Sequence, residues 1–220
     1  MRKFKVKKII FIIIACSAVI YALKAYRENI LLNKIIERLT ADSRVAEALV
    51  TAVKFDPETG KNYTTIKFLE YDTRGAPLRP KYFTFSENII QFQAMVIRFD
   101  DFYVKKGDSL KGKSAYIFMK AFALTDKGAE VFQINRKNEV PSGYRVEGFR
   151  SAFERKLWRK FWDYALNAKS AKQAGIKNAQ IEAPGTKFVP GVLYTVKIEH
   201  DGGLRIDSQQ LSPILNGENL

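Results

Sequence analysis

The sequence predicts an α+β chain, mainly β, in which an N-terminal transmembrane helix precedes an antiparallel β-rich globular domain with one amphipathic helix. Three observations predict it. An apolar run of fifteen residues, Ile9 to Leu23, follows a short basic segment. Most of the chain from Arg44 onward alternates apolar and polar residues between turn signals, the period of half-buried strands. A single stretch with helical periodicity, about 151–170, interrupts that pattern.

The apolar run fits a bilayer. Eighteen helical residues from Ile9 to Tyr26 rise about 27 Å, close to the ~30 Å hydrocarbon thickness. Lys24 can snorkel to headgroups and Tyr26 suits the interfacial aromatic belt, which makes both membrane-interface candidates. Five basic and no acidic residues precede Ile9, whereas the fifteen residues after Leu23 hold four basic and two acidic. That bias keeps the N-terminus in the cytosol and exports the remainder. The expected organisation is a basic N-terminus (1–8), a signal anchor (9–26), a juxtamembrane helix (27–43), an exported domain (44–210) and a frayed tail (211–220). Ile13-Ile14-Ala15-Cys16 also resembles a bacterial lipobox, making Cys16 a lipidation candidate. Against that reading, Ser17 to Leu23 stays apolar where a polar tether would follow.

In the juxtamembrane helix Leu32, Ile35, Ile36 and Leu39 share one stripe, which would serve either a short dimeric coiled coil or packing on the domain. Strands are expected at 44–55, 61–71, 81–86 and 89–99, the first two joined by Asp56-Pro57-Glu58-Thr59-Gly60. That turn combines a proline-fixed φ with a glycine free to take positive φ. In the fourth, Ile90, Phe92, Ala94 and Val96 share one face. Further strands follow at 115–124, 130–134, 144–146, 192–200 and 204–206. Residues 176–191, with Pro184-Gly185 and Pro190-Gly191, read as a long turn-rich connection. Antiparallel pairing follows from the short turns.

The helix at 151–170 opens on a capping-box pattern, Ser151 and Glu154. Phe153, Leu157, Phe161, Tyr164, Ala165 and Ala168 form its apolar face, opposite Arg155, Lys156, Arg159 and Lys160. Trp158 and Trp162 fall at the edge of the arc. Such a helix covers a sheet, binds a partner or lies in a membrane interface, so the two tryptophans are interface candidates.

Gly107-Asp108-Ser109-Leu110-Lys111-Gly112-Lys113-Ser114 matches the Walker A pattern, with Gly107, Gly112, Lys113 and Ser114 in the phosphate-loop positions. The context disagrees. The preceding segment ends in two lysines, the following one is rich in aromatics and reads equally well as a strand, and no downstream Walker B run appears. A β-turn accounts for the same residues.

Other chemistry lacks its residue types. The one histidine, His200, supports neither a multi-histidine metal site nor, without a nucleophile elbow, a serine triad. Asp100 and Asp101, adjacent on a strand, point to opposite faces. The lone Cys16 leaves the exported part without a disulfide. Net charge is +14, or +9 without the five N-terminal basic residues. A basic surface beside a bilayer is drawn to anionic headgroups, although scattered lysines also serve solubility.

The expected function is a non-enzymatic binding or structural module of a bacterial-type cell envelope, anchored in the cytoplasmic membrane with its domain in the periplasm. Its expected partners are the lipid bilayer and another envelope protein or a second copy. Nucleic acid and cofactors are not expected. The alternatives are a membrane-anchored nucleotide-binding enzyme using Gly107 to Ser114 and a lipoprotein held through Cys16.

Overall fold

A computed structural model of the chain describes residues 2–38, 44–99, 114–146, 152–167, 169, 176–199 and 203–212. Helix α1 (Arg2–Arg38) is continuous through the apolar run and beyond it. Its segment Ile9–Arg27 is long and apolar enough to cross a membrane and is wholly exposed. A water-soluble fold would bury such a surface, because each side chain of this type gains about 1.5–3 kcal/mol on leaving water.

The strands are β1 (Arg44–Asp56), β2 (Lys61–Glu70), β3 (Lys81–Phe85), β4 (Ile89–Phe99), β5 (Ser114–Thr125), β6 (Gly128–Gln133), β7 (Ile176–Glu182), β8 (Gly185–Lys187), β9 (Val192–Ile198) and β10 (Leu204–Gln210). They form two sheets, one ordered β10-β9-β1-β2-β3 and the other β6-β5-β4-β7, with β8 also on β4. All of these pairings are antiparallel. The β1–β2 hairpin turns where expected: the Gly60 N–H donates to the Asp56 carbonyl at 2.8 Å. Gly60 has φ +66°, a conformation that side chains with a Cβ adopt only at a cost.

The two sheets enclose an aromatic core. Phe68 of β2 stacks on Phe92 of β4 with centroids 5.2 Å apart, and meets Phe118 of β5 edge-on at 5.8 Å. The predicted face of β4 (Ile90, Phe92, Ala94 and Val96) lies in this core. The chain passes between sheets at Ser86, whose N–H and hydroxyl both donate to the Glu130 carboxylate of β6, at 2.8 and 2.6 Å.

A second, smaller core lies on the outer face of the second sheet. The β4 register shifts between Gln93 and Ala94, after which Met95 and Ile97 are buried too. Helix α2 (Ala152–Leu166) covers them. Its buried stripe is Glu154, Trp158, Phe161 and Trp162, the i, i+4, i+7, i+8 spacing of one helix face. The expected face is therefore shifted: Leu157 and Phe153 are only partly buried, and Trp158 stands near the centre of the stripe with Trp162 beside it. Trp158 packs on Tyr144, ring centroids 5.0 Å apart. Tyr164, Ala165 and Ala168 have side chains outside the described residues.

Two strand expectations are corrected. Residues 144–146 are not a strand: a 3₁₀ turn, Ser142–Tyr144, follows Pro141. Tyr144 serves as a core residue whose hydroxyl accepts the Tyr116 N–H at 2.7 Å. Conversely, 176–191 is not merely a connection, since it holds β7 and β8, which pair with β4. Phe188 just beyond them is buried in the main core.

Candidate functional site

One concavity among the described residues is lined by none of the site candidates named from the sequence. That concavity is a cleft of about 1080 Å³ where the end of α1, the β2–β3 connection and the segment after β6 meet. Its lining mixes the apolar residues Phe68, Leu78, Ile134, Val140 and Val146 with the buried polar side chains of Glu70, Asn135 and Arg38, and most of its charged residues are basic. Lys34 and Arg38 come from α1, Arg74, Arg79 and Lys81 from the β2–β3 side, and Arg136 and Arg145 from the far side. Against these seven cations stand three acids, Glu70, Asp72 and Glu139.

Each wall has a local cause. In the β2–β3 connection, Asp72 Oδ1 accepts the N–H groups of Arg74 at 2.8 Å and Ala76 at 2.9 Å. Gly75, at φ +80°, completes the turn. An aspartate caps its own loop in this way because its short side chain competes with backbone carbonyls for nearby N–H groups. On the opposite wall Asn135 is buried. It donates to the Phe118 carbonyl at 2.8 Å and accepts from the Ser142 N–H at 2.8 Å and its hydroxyl at 3.0 Å. The Ser142 hydroxyl also lies 3.1 Å from the Glu70 carboxylate. The Glu139 carbonyl accepts the Trp162 indole N–H at 2.8 Å, which ties this wall to α2.

Arg38, buried despite its charge, donates to the Arg145 carbonyl. This contact fixes the far end of α1 on the domain. Lys81 is about half-buried and donates to the Ile134 carbonyl. Burial holds its pKa below the usual lysine range, Glu70 draws it back up, and Arg145 lowers it again. Behind the cleft, burial pushes the Glu154 carboxyl up, while the Val146 N–H and then Arg145, Arg38 and Arg155 favour its ionised form. Just past the end of β2, the Tyr71 hydroxyl donates to Glu47 of β1 at 2.7 Å, which with burial raises the Tyr71 pKa.

The sequence-derived candidates lie elsewhere. Lys24 and Tyr26 are exposed on α1 at the C-terminal end of its apolar segment, and Cys16 is exposed within it. Trp158 and Trp162 are 0% and 1% exposed. Both rings are buried in the smaller core with Met95, Ile97 and Ile117, which leaves neither a face for lipid in this structure. Ser114 opens β5, paired antiparallel with Arg98 of β4, and Ser114–Thr125 is strand throughout. A phosphate loop instead opens a helix at that serine. Gly107, Gly112 and Lys113 lie outside the described residues, as do Asp100, Asp101, Ser151, His200, residues 213–220 and the side chains of Leu32, Ile35, Ile36 and Leu39. Among the described residues no group of three His, Cys, Asp or Glu is placed to hold a metal ion.

The cleft carried a sequence signal of its own. Asp72 to Lys81 and Asn135 to Arg145 are both basic stretches with proline and glycine, and each carries three cations. Their meeting point, however, is set by strand order, with Arg38 and Arg145 separated by 107 positions. Chemically, the site offers several guanidinium and ammonium groups in one concavity of mixed polar and apolar lining, a surface for recognising anions. Compared with protein-family models, with curated proteins and with solved structures, the chain matches none.

Proposed function

We propose that this chain is a single-pass membrane-anchored, non-enzymatic binding module of a bacterial-type cell envelope, acting through protein or lipid contacts. In this reading its N-terminus stays in the cytosol and its β-rich domain lies outside. One observation carries the reading. The wholly exposed apolar segment Ile9–Arg27 belongs to the same unbroken helix as Arg38, which is buried against the domain. An apolar segment of bilayer length costs least in lipid, and a helix clamped at its far end holds the domain close to the surface. The five basic residues ahead of Ile9 support the orientation.

A topology assay tests it. With alkaline phosphatase fused after Leu220 the full chain is expected to give active enzyme, whereas a green fluorescent protein at the same point stays dark. Fluorescence with an inactive phosphatase would place the domain in the cytosol and overturn the export.

A further inference from the structure

The cleft's acids are few, and two of them have structural tasks. Asp72 is occupied by the N–H groups of its own turn, and Glu70 faces Ser142 and Lys81. On the cationic side, the side chains of Arg74, Arg79 and Arg136 are exposed and make no ion pair or hydrogen bond among the described residues. Like charges converge in one concavity against their mutual repulsion, and Lys81 carries its charge half-buried with a backbone carbonyl as its hydrogen-bond partner. Scattered surface lysines serve solubility without any of these costs. At about 1080 Å³ the space matches or slightly exceeds an ordinary small-molecule site. Planar guanidinium groups give paired hydrogen bonds to phosphate oxygens, which a lysine-only patch does not.

We propose that this cleft is a binding site for a phosphate-bearing anion, held by Arg74, Arg79, Lys81 and Arg136 at the junction of α1 and the domain. Such a phosphate has two sources, a soluble phosphorylated compound or an anionic lipid headgroup. The lipid source rests on the membrane-anchored reading above; the anion chemistry does not. Geometry separates them in part. Lys34 and Arg38 lie seven and eleven residues past Arg27, about 10 and 16 Å along the helix. The headgroup layer is only about 7 Å deep. With α1 upright the cleft stands above ordinary phospholipid phosphates, which favours a soluble ligand; a tilt of α1 brings headgroups within reach.

The full chain is tested in nanodiscs of phosphatidylcholine alone, titrated calorimetrically with inorganic pyrophosphate, and in nanodiscs doped with phosphatidylglycerol, in which retained lipid is counted by native mass spectrometry. The variant is Arg74→Ala/Arg79→Ala/Arg136→Ala. Its control, Arg155→Ala/Arg159→Ala/Lys160→Ala, removes the same charge from the exposed face of α2. Saturable pyrophosphate binding, weakened about tenfold or more by the cleft variant and unchanged in the control, establishes the site with a soluble source. Phosphatidylglycerol retention lost only in the cleft variant establishes it with a lipid source. Absence of both signals, or equal loss in the two variants, overturns the proposal. Recovery of the chain outside the nanodiscs would refute the anchor while leaving the pyrophosphate arm readable.

Discussion

The two tryptophans of the chain, both on α2, should respond unequally to the same substitution. Trp162 donates its indole N–H to the Glu139 carbonyl at 2.8 Å, whereas the buried Trp158 Nε1 meets no hydrogen-bond partner among the described residues. Replacing either ring by phenylalanine removes roughly 60 Å² of buried apolar surface, about 1.5 kcal/mol at ~25 cal/mol per Å², with a small cavity penalty in addition. Trp162→Phe also leaves the Glu139 carbonyl without its donor, which brings the expected loss to about 2.5–3 kcal/mol. Trp158→Phe instead removes an orphaned buried donor whose desolvation costs about 1–3 kcal/mol, so that variant should stay within about 1 kcal/mol of wild type. Urea unfolding of the full chain in phosphatidylcholine nanodiscs, followed by far-ultraviolet circular dichroism, reads the difference. With a slope of ~2 kcal/mol per molar, the Trp162→Phe midpoint should fall by about 1.3–1.5 M. Equal shifts, or the reverse order, would refute the hydrogen-bond assignment. Each variant also leaves a single tryptophan, so brominated lipids can report on the other ring. Neither should be quenched, and quenching of either would return that ring to the membrane interface.

Two further outcomes are expected. Burial raises the Glu154 pKa above the usual carboxyl range, so the folded state holds that proton more tightly than the unfolded state; stability is greatest below the unfolded pKa and falls as pH rises through the folded one. Glu154→Gln should therefore be more stable than wild type near about pH 7, with the gap closing below about pH 4.5, and a urea midpoint difference independent of pH would contradict the account. Cys16→Ser should change the intact mass of the mature chain only by the exchange of sulfur for oxygen and leave its membrane retention unchanged; loss of a lipid-sized mass in the variant would convert the spanning helix into a lipoprotein signal.

How much of this was legible depended on which neighbour buries each residue. In β9 the alternation Val192, Tyr194, Val196 and Ile198 matches burial position by position, because only one face of that strand meets a core. In β4 the same reasoning found one face and missed the other: Met95 and Ile97 are buried by α2, which periodicity within the strand cannot reveal. β7 was passed over because Lys177, Asn178 and Gln180 look like loop residues; its place is set by backbone pairing with β4, to which side-chain polarity is a poor guide. In α2 the apolar residues alone put the centre of the face near Leu157. The structure centres it on Trp158 and admits Glu154, since Tyr144 presents its ring there, 5.0 Å from Trp158. The cleft was the least legible of all, because its cations come from three segments and the repulsion among them exists only once the strands have paired.

That repulsion also explains why the cleft's walls need supports. A cluster of cations keeps its shape only if fixed hydrogen bonds hold the walls apart. On one wall Asp72 and Gly75 fix the turn that carries Arg74. On the other, buried Asn135 joins the Phe118 carbonyl to Ser142, while the Trp162 indole holds the Glu139 carbonyl. The third side is α1, held where Arg38 donates to the Arg145 carbonyl. Each wall is thus held by at least one hydrogen bond to a backbone group, which leaves Arg74, Arg79 and Arg136 exposed to what enters. A surface patch kept basic only for solubility would not need a buried amide, an indole and an arginine to hold its walls in place. The demand for rigidity makes sense if an anion must find several donors already converged, because ordering them on binding would cost about 0.5–1.5 kcal/mol for each long side chain.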